Sequence, residues 1–95
     1  MGQEPVISPD VLARYAGDAA AEVTGVSALG RAVEIADHDG ALGLTVHVEL
    51  EWGRSASEVG RKVQRRVRDY VESMTNKKVG AVEVVIERVT APPAS

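Results

Sequence analysis

Residues 54–74, RSASEVGRKVQRRVRDYVESM, constrain this chain more than any other stretch. Ala56, Val59, Val63, Val67, Tyr70, Val71 and Met74 recur at steps of three and four. At about 100° per residue they fall on one stripe of a helix. Arg54, Glu58, Arg61, Arg65, Arg68 and Glu72 fall on the opposite side. Burying such a stripe is worth about 1.5–3 kcal/mol per large apolar side chain, as an upper bound. No other segment offers as much apolar face, so the remainder of the chain must supply the surface that covers it.

The covering surface reads as a sheet. Leu44, Val46, Val48, Leu50 and Trp52 alternate with Thr45, His47, Glu49 and Glu51, the period of a strand with one buried face. Before it, Leu29, Arg31, Val33 and Ile35 alternate with Gly30, Ala32, Glu34 and Ala36. Asp39-Gly40 between the two is a favoured hairpin turn. A turn centred there sets Ile35 opposite Leu44 and Val33 opposite Val46, so apolar meets apolar across the pair. Gly53 ends the second strand, and Ser55 or Ser57 can cap the long helix. After it, 75–78 reads as helix end and turn. Val79 to Val89 then forms a last strand, with Val82, Val84 and Ile86 inward and Glu83, Val85 and Glu87 outward.

A first helix precedes the sheet. Ser8 is a capping residue, Pro9 suits the first helical position and Asp10 the positive end of the dipole. Leu12, Tyr15, Ala16, Ala19 and Val23 make its apolar stripe, and Gly25 ends it. The order is helix, strand, strand, helix, strand, with a possible short leading strand at Pro5-Val6-Ile7. That order predicts an α+β fold, a two-layer sandwich with both helices on one face of a three- to four-stranded antiparallel or mixed sheet. One domain spans residues 5–90, and residues 91–95 are expected to be a disordered tail.

Composition narrows the function. With no Phe, one Trp and two Tyr among 95 residues, the core must come from Val, Leu, Ile and Ala. The absence of Cys excludes disulfides, thiolate zinc sites and cysteine nucleophiles. No secretory signal is read at the start, and no apolar run approaches the roughly 18 residues that span a bilayer, so direct membrane insertion is not expected. Asp37-His38-Asp39 coincides with the hairpin turn and is read as turn rather than metal ligands. His47 is read as a solvated residue on the open sheet face. No Ser or Thr has an evident base, so neither an enzyme nor a cofactor is expected.

Charge is divided unevenly. Between Arg54 and Lys78 stand eight basic and three acidic residues, and the remainder holds three basic and eleven acidic ones. One side of the fold is therefore expected to be acidic and the long helix opposite it basic. On a solvated helix face, Arg54–Glu58, Glu58–Lys62, Arg65–Asp69 and Arg68–Glu72 would pair at four-residue spacing. Arg61–Arg65 and Lys62–Arg66 repel at the same spacing. A protein or self-assembly surface in which Arg61, Arg65 and Arg68 of one copy meet Glu49, Glu51 or Glu83 of the next is the partner reading. The alternative is a KH-like nucleic-acid-binding module, suggested by the GxxG pattern Gly40-Ala41-Leu42-Gly43 and the basic helix. Two counts weigh against nucleic acid. The pattern falls between two strands, and the exposed sheet face carries Glu where stacking aromatics would be needed.

Two segments together resemble the alkaline shock protein, or YloU-like, envelope stress response family of bacteria. One is Ile7-Ser8-Pro9-Asp10-Val11-Leu12-Ala13-Arg14-Tyr15-Ala16 through Ala20, Glu22-Val23 and Gly25-Val26. The other starts at Trp52-Gly53 and runs through Val63-Gln64, Val67, Val71-Glu72, Met74-Thr75 and the strand Val79 to Val89. Asn76 stands where that family usually has Gly, and Asn tolerates the left-handed conformation. The resemblance implies a cytoplasmic, non-catalytic protein that self-associates and gathers at the membrane through a small membrane-protein partner, supporting envelope integrity. It implies no catalytic residues.

Overall fold

The computed structural model describes residues 7–91. Six elements follow in order: α1 (Pro9–Ala21), β1 (Val26–Leu29), β2 (Glu34–His38), β3 (Ala41–Leu50), α2 (Ala56–Thr75) and β4 (Lys78–Val89). The expected α+β class and element order hold, with the first strand of the hairpin split into two short pieces. The leading strand expected at 5–7, apart from Ile7, and the tail expected at 91–95, apart from Ala91, lie outside the described residues.

α2 forms as its pattern requires. Ser55 caps it, its hydroxyl accepting from the Glu58 N–H at 3.2 Å. Asn76 closes it in the left-handed region (φ 57°), its N–H donating to the Glu72 carbonyl at 2.9 Å. Val59, Val63, Val67 and Val71 are buried, together with Val46, Val48, Leu44 and Leu50 of β3 and Val79 and Val82 of β4. On α1, Ser8 accepts from the Val11 N–H at 3.3 Å. Ala16, Ala19 and Ala20 are buried and let α1 lie close against α2. α1 ends at Ala21, earlier than expected. Gly25 instead turns the chain into β1 with φ 107°, where a Cβ would lie 2.6 Å from Val59 Cγ2. Tyr15 and Tyr70, expected in the two apolar stripes, sit at the rim between the helices with ring centroids 6.4 Å apart.

β3 is the centre of the sheet. β4 runs parallel to it along its whole length, Ala41↔Lys78 to Leu50↔Val89. β1 and β2 therefore share its other edge in tandem, both antiparallel. The connection from β3 through α2 to β4 is the crossover that a parallel pair needs. The hairpin register is the one the turn dictates: Ile35 pairs with Leu44 across a two-residue turn, with Asp39 at φ 54° and Gly40 at φ 87°. Val33 does not reach its expected place opposite Val46, because residues 30–33 leave the ladder. Gly30 stays tied to it through its N–H, which donates to the His47 carbonyl at 2.8 Å. Trp52 lies beyond the end of β3 and is 60% exposed, so it is not part of the buried face.

The two layers thus meet along one valine seam, and Val67 at its centre is 0% exposed. A Val67→Asp substitution buries a carboxylate with no partner, a cost of several kcal/mol against a total stability of about 5–15 kcal/mol. The expected result is loss of the cooperative thermal transition followed by circular dichroism. A melt like that of the parent would show that α2 does not face the sheet in this way.

Candidate functional site

α2 is flanked differently on its two sides. On one side Tyr70 meets α1, and the Arg66 guanidinium pairs with Glu22 just past the end of α1. On the other side the Gln64 side-chain amide donates to the Val82 carbonyl at 3.1 Å, and a Glu72 carboxylate oxygen accepts from the Val79 N–H at 2.9 Å. Between these attachments lies the solvent face with Arg61, Lys62 and Arg65 exposed and Arg68 half-exposed. Arg61, Arg65 and Arg68, at steps of four and three, form one row. Among the described residues no carboxylate lies within ion-pair distance of them.

The four-residue pairs expected along this helix do not form. Arg54 turns back to Glu51 at 3.0 Å, and Glu72 is taken by the β4 backbone. Both competitors fix a backbone or a turn as well as a charge, which a mobile surface pair does not. Glu51 is therefore occupied within its own chain, unlike the free carboxylate expected there. Glu49 and Glu83 remain on the open face of the sheet, Glu49 half-buried and Glu83 exposed. Glu83 pairs in register with Thr45, whose other neighbour is Glu34, so two carboxylates flank that threonine across three strands.

His47 departs most from its expected place. It is only 8% exposed, although it stands on the open face. Its Nε2 is hydrogen-bonded to Glu34 Oε1 at 3.0 Å. Its Nδ1 lies 3.0 Å from Glu87 Oε2 but outside hydrogen-bond geometry. Glu87 is the extra residue of a bulge in β4, and the same Oε2 is 3.1 Å from Arg31 Nε. Glycine at position 30 makes room: a Cβ there would collide with the Glu87 carboxylate and come within 3.2 Å of His47 Cβ. The cluster thus ties three strands and the break at 30–33 together. Ionised carboxylates offer only acceptors and a neutral imidazole only one N–H, so the neutral ring can donate to just one of the two. The sequence holds the alternation of His47 but not the bulge that brings Glu87 over it.

The turn residues behave as turn residues. The Gly40 N–H donates to Asp37 Oδ1 at 3.0 Å and Lys77 Nζ sits 3.3 Å from Oδ2. That hydrogen bond first, and the lysine next, hold the Asp37 carboxyl below its usual range. Among the described residues no three His, Cys, Asp or Glu side chains are placed to share a metal ion. Gly43 of the GxxG pattern lies inside β3, not in a loop between helices.

A family model matches residues 28–91 of this arrangement, that is, the end of β1, then β2, β3, the crossover helix and β4. The chain belongs to the alkaline shock protein 23 family. The family is described as having a cell envelope-related function. The match covers the second of the two segments that carried the resemblance, and starts after the first. No curated protein matches the sequence. Solved structures of the MamM CTD share the fold. One has a TM-score of 0.61 at 11% identity, covering 85% of this chain and 98% of that one. A zinc form reaches 0.58 at 11% identity over 88% and 89%. A manganese form reaches 0.55 at 11% identity over 85% and 95%. At such identity the likeness shows the fold alone.

The cluster can be tested by its asymmetry. The Glu34 side chain is 67% exposed and that of Glu87 only 28%. Glu34→Ala removes the one hydrogen bond to the His47 ring among the described residues and is expected to cost about 0.5–1.5 kcal/mol in urea unfolding. Glu87→Ala removes close charge contacts to His47 and to Arg31, whose side chain is 72% exposed, and is expected to cost under about 1 kcal/mol. A larger loss for Glu87→Ala would mean that its carboxylate, not that of Glu34, holds His47.

Proposed function

We propose that this member of the alkaline shock protein 23 family is a non-catalytic, cytoplasmic scaffold of the cell envelope. It works by protein–protein contact, both with copies of itself and with a small membrane protein that gathers it at the membrane. The family's envelope-related function supports the setting. No helix among the described residues is long and apolar enough to cross a membrane.

The observation that carries the assembly reading is the row of guanidinium groups on α2, unpaired among the described residues, with unpaired carboxylates on the opposite layer. Two unlike, complementary surfaces on one molecule make heterologous contacts, which close into rings or continue as filaments. Arg61, Arg65 and Arg68 of one copy approach Glu49 or Glu83 of the next. Glu51 contributes less than its sequence position promised, because Arg54 already neutralises it. Nucleic acid is the weaker partner for the same cations, since the sheet face presents carboxylates and the GxxG pattern is built into the hairpin.

Light scattering across protein concentration, at low and high salt, tests this reading. The parent is expected to associate at low salt and dissociate as salt screens the contact. An Arg61→Glu/Arg65→Glu variant is expected to remain monomeric throughout. A parent that stays monomeric at high concentration and low salt removes the assembly reading. Equal association of both proteins would place the contact elsewhere.

A further inference from the structure

β4 is an edge strand, and its outer side is closed at one end and open in the middle. Strand geometry says which groups face outward. The Val82 carbonyl accepts from Gln64 and the Val79 N–H donates to Glu72, both on α2, so these groups point away from β3. Backbone groups two residues apart in a strand share a direction. Val84 and Ile86 therefore turn their N–H and C=O groups outward as well, and no strand of the described residues pairs with them. The bulge at Glu87 ends this window on its far side. Native proteins usually blunt such an edge with bulges, charges or a covering element. Here Gln64 and Glu72 close the stretch before Val84, and the stretch from Val84 to Ile86 is left uncapped.

The charged side chains of α2 nearest the window have one sign. Taking 100° per residue around α2, Arg68 and Arg61 fall between Gln64 and Glu72, the two residues that reach the β4 edge. α2 runs back along β4, with Gln64 at the level of Val82 and Glu72 at that of Val79. At about 1.5 Å per helical residue against about 3.3 Å per strand residue, Arg61 comes level with Val84. Arg68, seven residues on, lies about two turns nearer the closed end. Neither has a carboxylate partner among the described residues.

We propose that the Val84–Ile86 edge receives a short extended segment of a partner protein as an added strand, with acidic side chains on its helix-facing positions. Residues of that segment opposite Val84 and Ile86 point toward α2, where a carboxylate meets Arg61. Those between them lie beside Val85 on the open face and are neutral or β-branched. Backbone pairing supplies affinity, and alternate side chains supply selectivity. A second copy of this chain is the poorer occupant. Antiparallel pairing of two β4 strands about Val85 would bring Arg61 of one copy toward Arg61 of the other, like charges on both sides. The proposal rests on the protein–protein reading above and names the chemistry of the partner.

The probe is a fluorescein-labelled peptide alternating Glu and Val, read by anisotropy on the full chain, beside the same peptide with Lys for each Glu. The acidic peptide is expected to bind at least about tenfold more tightly. Arg61→Glu, an exposed change, is expected to weaken it about tenfold. Val84→Pro removes an outward N–H and leaves the ladder to β3 intact, so binding is lost while the thermal transition remains. In hydrogen exchange the Val84 and Ile86 amides should be open in the free protein and protected in the complex. This readout and Arg61→Glu decide the matter if Val84→Pro fails to fold. Three results overturn the proposal. One is no binding at millimolar peptide. Another is binding that survives Val84→Pro and Arg61→Glu. The third is a parent dimer in which those amides are already protected and which Val84→Pro dissociates. Failure here with salt-sensitive self-association intact removes the edge site and leaves the scaffold reading standing.

Discussion

Everything placed on this molecule depends on four valines of α2, buried in one core with the inward side chains of β3 and β4. Valine is a mediocre helix former, costing up to about 0.7 kcal/mol relative to alanine at each position. Full burial returns about 1.5 kcal/mol or more per side chain, so tertiary packing decides that this stretch is helical and which way it turns. The rotation set by Val59, Val63, Val67 and Val71 has direct consequences. It puts Tyr70 and Arg66 against α1, Gln64 and Glu72 over the β4 edge, and Arg61 and Arg65 into solvent. A rotation of one residue would exchange these roles. The same four side chains that hold the two layers together therefore also fix where the charge goes.

The second constraint is the departure of residues 30–33 from the β3 ladder. A continuous strand from Val26 to His38 would cover the β3 edge evenly and leave His47 on an ordinary open face. Instead the chain steps out at Gly30, and Arg31 is free to reach the Glu87 bulge from the other edge of the sheet. The two irregularities meet over His47, one from each neighbouring strand. A bulge bends and twists its strand, and here it also aims a carboxylate across the sheet. Open faces of small sheets are commonly wet; this one has a buried polar centre at one point and exposed carboxylates around it.

How much of this was legible in the sequence follows the range of the interactions. The hairpin was legible near its turn, where Ile35 meets Leu44, because Asp39-Gly40 and the alternation beside it are local and agree; it was not legible as far as Val33, which leaves the ladder before reaching Val46. α2 was legible for the same reason, down to a serine cap and the left-handed Asn76. Both helix–sheet layers followed from these. What was not legible depends on residues far apart in the chain. Glu87 is 40 positions from His47, and nothing in the alternation around Glu87 announces the bulge that lifts it toward the ring. The helix pairs were misjudged because i,i+4 spacing says which charges can meet, not what else competes for them. Glu72 had a backbone N–H of β4 on offer and Arg54 a turn carboxylate. Each is a better partner than a mobile side chain one turn away. For the candidate surface the same limit applied: Arg61, Arg65, Arg68, Glu49 and Glu83 stand exposed or half-exposed as expected, and only Glu51 was already engaged.

That competition also explains why the unpaired cations are concentrated where they are. Each carboxylate of α2 is a possible neutraliser of the basic row, and Glu72 is withdrawn from it to cap Val79. The withdrawal does two things at once. It closes one end of the β4 edge, which limits pairing in the wrong register, and it leaves Arg68 without the partner its spacing would have given it, while Arg61 has only the like-charged Arg65 four residues on. Exposed guanidinium groups cost little in stability while water solvates them, since a surface pair is worth at most about 1 kcal/mol. Near a partner that excludes water, the same charges become selective, attracting carboxylates and rejecting a second basic helix. A domain this small has few places to separate a capped edge from an open one. Here that separation lies along one strand, between Val82, whose carbonyl Gln64 holds, and Val84, which no side chain of α2 covers.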